Sequence, residues 1–243
     1  MRFIISLLIW IVGAVVTAAT FFSSVIIKYW PFPVRDREKL VHAQLYWWSD
    51  ILIAMNPFWK LKVTGLENID QNKTYVVVAN HQSLGDIIII YQIHLYFKWV
   101  AKEELLKVPF IGGLLSVNDH VLVSRDEMSS IKEVYRKASA RLKSGVSMLF
   151  FPEGTRSSTD EMGEFKNGAF KIAIKEGKPI LPVYIGGTRE AIPKGGFIFK
   201  TKVSARLAIL PPIETAGMQT ADFEKLKNLV REKLQNVADE PIS

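Results

Sequence analysis

The apolar pattern begins near the amino end, where residues 3–27 run for 25 positions without a charge. As a helix this stretch extends roughly 37 Å, enough to cross the ~30 Å hydrocarbon core of a bilayer. Three readings fit it. A cleaved signal peptide would use Val16-Thr17-Ala18 as its small-residue site, but apolar character continues well past that point. A spanning helix would have its carboxyl end held on the cytoplasmic side by Lys28, Arg35, Arg37 and Lys39. An anchor entering one leaflet fits the neighbouring residues. Tyr29-Trp30-Pro31-Phe32-Pro33 leads into a second helical stretch over 36–56 that carries Leu40, Trp47, Trp48, Ile51 and Leu52. Aromatic rings of this kind favour the membrane–water boundary. The expectation is a membrane-bound two-helix anchor over residues 1–56 on the cytoplasmic membrane face, with spanning left open, and then a domain over 57–243.

Beyond Pro57 the periodicity changes to short strands alternating with helices. Residues 59–63 read as an amphipathic strand and 75–79 as a buried one; 98–101, 120–123, 146–151 and 180–185 are further strands. Pro182 within the last suggests an edge or a bulge, and 197–211 holds two short strands or one bent one. Helices are expected over 86–96 and 165–176, the second stopping at Gly177. Residues 108–116, with Pro109, Gly112 and Gly113, read as a loop or broken helix. A further helix opens on a capping box of Ser130 with Glu133, presents Ile131, Val134, Tyr135, Ala138 and Leu142 on one face, and stops at Gly145. An amphipathic helix over 222–237, with Leu226, Leu229, Val230, Leu234 and Val237 on one side, closes the chain. This alternation defines an α/β fold, a mixed and largely parallel sheet flanked by helices.

A length of 243 residues accommodates one such domain with its appendage. The net charge of +7 suits anionic lipid, phosphorylated substrates or an acidic carrier. No recognition helix or RNA-binding aromatic signature accompanies it, so nucleic acid is not an expected partner. With no cysteine there is no disulfide, thiol nucleophile or cysteine-ligated zinc. His42, His94 and His120 have no partner at ligand spacing, so neither a metal nor another cofactor is expected.

The candidate chemistry centres on Asn80-His81-Gln82-Ser83-Leu84-Gly85-Asp86, directly after the buried strand at 75–79. Open α/β sheets place their sites at the carboxyl ends of strands. On one regular helix His81 and Asp86 would be roughly 140° apart. With His81 in the turn and Asp86 in the first helical turn, the carboxylate reaches one ring nitrogen and leaves the other as a general base. Ser83 with Asp86 equally fits a plain helix cap. A second stretch, Phe151-Pro152-Glu153-Gly154-Thr155-Arg156, comes at the end of the strand at 146–151. Gly154 lets backbone amides approach an anion, and Arg156 offers a rigid fork for phosphate. Glu153 is expected to orient Arg156 or another donor, since an anion site does not want a carboxylate.

Together, in this order and at this separation, the two stretches resemble the glycerolipid acyltransferases with a His-x4-Asp motif, most closely those acting on 1-acylglycerol 3-phosphate. The resemblance runs from about residue 75 to 190. It includes Lys102-Glu103-Glu104-Leu105, Val123-Ser124-Arg125, Phe165-Lys166-Asn167-Gly168 and Ile180-Leu181-Pro182-Val183. It implies that Arg125, with Glu153, Gly154, Thr155 and Arg156, surrounds the acceptor phosphate, with Asn80, Ser83, Lys102 and Lys166 as further candidates. Where many relatives carry Asp before the arginine, this chain has Ser124. The implied reaction moves an acyl group from an acyl thioester, on acyl carrier protein or coenzyme A, to lysophosphatidic acid, giving phosphatidic acid. His81 is the implied base, direct transfer is simpler than an acyl-enzyme, and Ser83 is not expected to be a nucleophile. Glycerol 3-phosphate or another lysophospholipid as acceptor, and a non-catalytic membrane-tethered binding module, are the alternatives.

Overall fold

The computed structural model describes residues 2–56, 59–124, 128–157, 161–191, 198–200 and 202–240. A long apolar helix α1 (Arg2–Tyr29) and a second helix α2 (Arg37–Ala54) precede the first strand. The strands are β1 (Trp59–Thr64), β2 (Val76–Ala79), β3 (Phe97–Lys102), β4 (Val121–Val123), β5 (Ser147–Phe150), β6 (Ile180–Gly186) and β7 (Val203–Ile209). Between and after them lie α3 (Gly85–Ile89), α4 (Ile111–Val117), α5 (Met128–Lys143), α6 (Gly168–Glu176) and α7 (Phe223–Ala238).

The strands form one sheet in the order β1-β7-β6-β2-β5-β3-β4. From β6 to β4 neighbours are parallel; β6 meets β7 antiparallel, and β1 runs parallel to β7. The sheet is mixed and largely parallel, as expected. Strand β2 lies at its centre, and its four residues are fully buried. Alternation divides them between two cores. Val77 and Ala79 join Leu45 and Trp48 of α2 and Leu114 and Leu115 of α4 on one face. Val76 and Val78 join Ala138 and Leu142 of α5, Phe170 of α6 and Val230 of α7 on the other. A strand covered on both faces must be apolar at every position, which explains the unbroken Val76-Val77-Val78-Ala79 run.

Pro182 sits inside the sheet rather than at its edge, in register with Val78 of β2. Its carbonyl accepts from the Leu210 N–H just past the end of β7. Ile180 pairs with Ile213 and Val183 with Ile209, so Leu181 and Pro182 face three residues, Leu210 to Pro212. The missing proline N–H therefore falls at a bulge in the partner segment, where no ladder bond is lost.

Other boundaries moved for local reasons. The helix expected over 86–96 is α3 continued by a 3-10 turn at Ile90–Ile93 that ends on His94 at φ 48°. Four successive isoleucines, Ile87 to Ile90, are poor material for a longer helix. Helix α6 starts at Gly168, three residues later than expected, and the Lys166 N–H just before it is bonded to the Pro152 carbonyl (2.9 Å). Of the loop or broken helix allowed over 108–116 the structure has the helix, α4 from Ile111, and β7 is a single strand where two or a bent one were allowed. Ser130 lies inside α5, not at its cap, and Glu133 pairs with Arg136 and Lys137. Ile131 and Leu229 are exposed, so the buried stripes narrow to Val134, Ala138 and Leu142 on α5 and Leu226, Val230 and Leu234 on α7.

Helix α1 is the one described helix long and apolar enough to cross a membrane. It lies along the domain and is tied to it at both ends. Ser6 Oγ accepts the Phe199 N–H (3.0 Å), and Lys28 Nζ donates to the Val117 carbonyl (2.6 Å) and to Asp119 (3.1 Å). In between, Trp48 of α2 donates its indole N–H to Thr17 (3.0 Å). Helix α1 also exposes Leu8, Val15 and its last residue Tyr29, and beyond it Phe32 and Trp47 are exposed.

Candidate active site

The parallel strands β2, β3, β4, β5 and β6 end on the same edge of the sheet, so the loops after them meet there. After Ala79, Asn80 bonds twice to Ile185 of β6: its amide nitrogen donates to the carbonyl and its oxygen accepts the N–H, both at 2.8 Å. Fully buried, Asn80 continues the ladder past the end of β2 with a side chain. The next residue is His81.

His81 Nδ1 lies 2.7 Å from Asp86 Oδ2. The same oxygen accepts the backbone N–H groups of Gln82 (2.5 Å) and Ser83 (2.8 Å). Asp86 Oδ1 accepts the hydroxyl of Thr188. An oxygen ringed by donors acts as the acceptor, so the imidazole proton sits on Nδ1 and Nε2 keeps its lone pair. Asp86 is wholly buried and the His81 side chain 16% exposed, so the carboxylate is held inside while the ring reaches the surface. Phe151 stacks on that ring, with centroids 4.3 Å apart and planes 25° from parallel. Ser83 Oγ accepts the Gly85 N–H (3.2 Å) while its own N–H goes to Asp86. The cap-like contacts and the His–Asp contact are parts of one turn.

The second stretch closes on the first. Glu153 Oε1 accepts the His81 N–H (2.8 Å) and Oε2 the Gly163 N–H (2.9 Å), while the Ser157 N–H donates to the His81 carbonyl (2.8 Å). Of the two roles expected of Glu153, the structure shows the second: its oxygens hold other donors, the backbone amides of His81 and Gly163, so it braces the turn while lining the same cleft as Arg156. Burial raises the Glu153 pKa above the ordinary carboxylate value, opposed by the two amides.

Gly154 has φ 69°, and a side chain there would put its Cβ 2.7 Å from Lys166 Nζ. The Lys166 side chain thus passes over Gly154. Thr155, Arg156 and Lys166 line an open cleft of about 800 Å³ with Ser157 and the 161–167 loop. Arg156 forms no hydrogen bond or ion pair among the described residues. Lys102 ends β3 on this same edge of the sheet. Arg125 lies outside the described residues.

The remaining histidines are structural or exposed. His42 is buried among Tyr46, Tyr91, Tyr96 and Phe97, and burial pushes its pKa down to about 3. His120 is held well below its usual range by burial and packs on Trp99. His94 is exposed at a helix end rather than within an apolar helix.

A parallel-strand edge with a tethered imidazole, beside a cleft that holds Arg156 and Lys166 together with Glu153, Glu161 and Glu164, defines an α/β site equipped for proton transfer. Comparison narrows it. The family model described as Acyltransferase matches residues 60–186, and the chain belongs to that family. It is 35% identical over 180 residues to a chloroplastic 1-acyl-sn-glycerol-3-phosphate acyltransferase of Brassica napus, covering 74% of this chain and 52% of that protein. A 1-acyl-sn-glycerol-3-phosphate acyltransferase of Borreliella burgdorferi is 32% identical over 176 residues, covering 72% and 70%. The crystal structure of the 1-acyl-sn-glycerophosphate (LPA) acyltransferase PlsC from Thermotoga maritima superposes with a TM-score of 0.81 at 30% identity over the whole of both chains. The chain spans about half the length of the plant relatives it matches.

Sequence reasoning missed Phe151 as a stacking partner and Thr188 altogether. Phe151 stood inside the quoted motif with no signal separating it from a core aromatic. Thr188 lies 102 positions beyond Asp86 and becomes visible only through the sheet order.

Proposed function

We propose that this chain transfers a fatty acyl group from an acyl thioester, carried by acyl carrier protein or coenzyme A, to the sn-2 hydroxyl of 1-acylglycerol 3-phosphate. The observation that carries this reading is the His81 Nδ1–Asp86 Oδ2 contact of 2.7 Å on the sheet edge that also presents Arg156 and Lys166. His81 Nε2 takes the proton of the acceptor hydroxyl as its oxygen attacks the thioester carbonyl. The C–S bond breaks, the thiolate leaves with the proton returned by the imidazolium, and an ester remains. A thioester is already activated, so a base contributing ~10²–10⁴-fold together with orientation suffices. Arg156 and Lys166, with Arg125, supply positive charge for the acceptor phosphate, Arg156 as a planar fork and Lys166 as a point charge. The names of the relatives support the same acceptor.

Residues 1–56 serve as the membrane-binding part in this reading, with 57–243 as the catalytic domain. Attachment of α1 to the domain at both ends favours a helix lying in one leaflet over one that crosses. Lys28 and Arg37, two of the charges expected to set orientation, are engaged within the protein: Lys28 with Asp119, Arg37 with the carbonyls of Lys28 and Phe32. Lys39, and the exposed Arg35 beside Asp36 (3.6 Å), face solvent where anionic lipid on the cytoplasmic face would meet them.

Release of free thiol from an acyl thioester is the test, run with lysophosphatidate, with glycerol 3-phosphate and with no acceptor. Release dependent on lysophosphatidate supports the reading. Preference for glycerol 3-phosphate would reassign the acceptor, and no release with any would leave a binding module.

A further inference from the structure

The buried carboxylate of the dyad has two oxygens with different company. Oδ2 is shared by His81 Nδ1 and two backbone amides. Oδ1 receives the Thr188 hydroxyl alone among the described residues. A carboxylate inside protein with one oxygen unpartnered is costly, and a hydrogen bond to a charged group is worth about 1.5–3 kcal/mol. Thr188 is itself only 3% exposed, so water does not compete for its proton.

The surrounding chain is built to bring this hydroxyl to Asp86. Asn80 locks Ile185 to the end of β2, three residues before Thr188. Gly187 then turns with φ 78°, where a Cβ would lie 2.0 Å from the Ser204 carbonyl oxygen, so the backbone must pass close against β7. Thr188 opens a 3-10 turn whose cap position is Gly187 and which uses no side-chain cap. Its hydroxyl is therefore not spent on local structure. Gly85, one residue before Asp86, faces Thr188, with an added Cβ 3.5 Å from Thr188 Cβ.

We propose that Thr188 is a positioning residue for acyl transfer: its hydroxyl pins Asp86 Oδ1, which fixes the carboxylate plane and aims Oδ2 at His81 Nδ1. Without the donor Oδ1 is left unpartnered in the interior, the carboxylate is held through Oδ2 alone, and its plane, and with it the aim of the imidazole, is less tightly fixed. This inference rests on the reading of His81 as the base. Thr188 does not line the cleft that holds Arg156 and Lys166, so its effect falls on turnover and not on acceptor binding.

The test compares Thr188→Val, Thr188→Ser and Thr188→Ala in the full chain, with lysophosphatidate and an acyl thioester. Val keeps the shape and loses the donor; Ser keeps the donor and loses the methyl; Ala loses both. The expected result is a kcat lower by about tenfold to a hundredfold in Val and Ala, with the acceptor KM within about twofold, and recovery of most of the kcat in Ser. A Val variant as fast as wild type overturns the proposal. Should Val fail to fold, Ser against Ala isolates the hydroxyl, and equal rates in those two overturn it as well. His81→Ala is measured alongside. If it retains turnover, the dyad reading itself falls; if it is inactive while Thr188→Val is unimpaired, only the role of Thr188 falls.

Discussion

Glu153 Oε1 accepts the backbone N–H of His81 at 2.8 Å, a side-chain bond that fastens the second motif to the first across 72 positions of sequence. The carboxylate is mostly buried and its second oxygen holds Gly163. Glu153→Gln keeps one acceptor oxygen but turns an amide NH2 toward the other N–H donor. One donor is then unpaired, at a cost of about 1–3 kcal/mol. The expected outcome is a lower midpoint in denaturant unfolding together with a reduced kcat, because the peptide that aims His81 loosens. Unchanged stability and rate would show that the brace is dispensable.

Arg156 and Lys166 should act on acceptor binding. Arg156→Ala and Lys166→Ala are expected to raise the KM for lysophosphatidate by about tenfold or more each, with smaller effects on the thioester KM. Arg156→Lys should recover only part of the loss, since an ammonium cannot reproduce the guanidinium fork. Initial-rate kinetics with both substrates varied separate these effects. A loss confined to kcat would reassign both residues.

His42 gives the fold an acid sensitivity of its own. Burial holds its pKa near 3, against 6.5 for the free side chain. Below pH 6.5 the unfolded chain takes up a proton that the folded chain refuses. The stability due to neutral His42 is therefore complete above about 6.5 and is lost as the pH falls toward 3. One proton of difference corresponds to about 1.4 kcal/mol per pH unit at most. His42→Phe should flatten the pH dependence of unfolding free energy between pH 6 and 4 by close to that slope. An identical slope in the variant would mean that the histidine is not buried neutral.

Membrane binding should depend on aromatic side chains that the fold leaves uncovered. Tyr29, Phe32 and Trp47 are 64–71% exposed. Replacing all three by Ser should weaken binding to anionic liposomes by about a hundredfold or more, at about 1.5–3 kcal/mol for each large apolar side chain fully buried. Activity toward a short-chain, water-soluble acceptor should stay within about twofold. Equal loss toward soluble and bilayer-embedded acceptors in folded protein would refute the delivery role of residues 1–56.

Much of this architecture is legible in the sequence because it arises from local pattern. The run Val76 to Ala79 is apolar at every position because both faces are covered, and the His81–Asp86 spacing places ring and carboxylate on opposite limbs of one turn. Parts that depend on distant partners were not legible. Thr188 reaches Asp86 because β6 lies beside β2, and nothing near position 188 announces it. Glu153 looked misplaced in an anion site until its backbone partners, His81 and Gly163, came into view. Pro182 suggested an edge or a bulge; it meets a bulge, but one that belongs to another segment, Leu210 to Pro212, which the sequence around it does not reveal.

Everything proposed for the site turns on His81 removing the proton of the acceptor hydroxyl. The decisive quantity is the lysophosphatidate-dependent thiol release rate of His81→Ala, in protein shown to be folded by its unfolding midpoint, compared with wild type under saturating substrates. A general-base role predicts a kcat lower by at least about 10²-fold, toward 10⁴-fold, with acceptor binding retained. Turnover within about tenfold of wild type would contradict it.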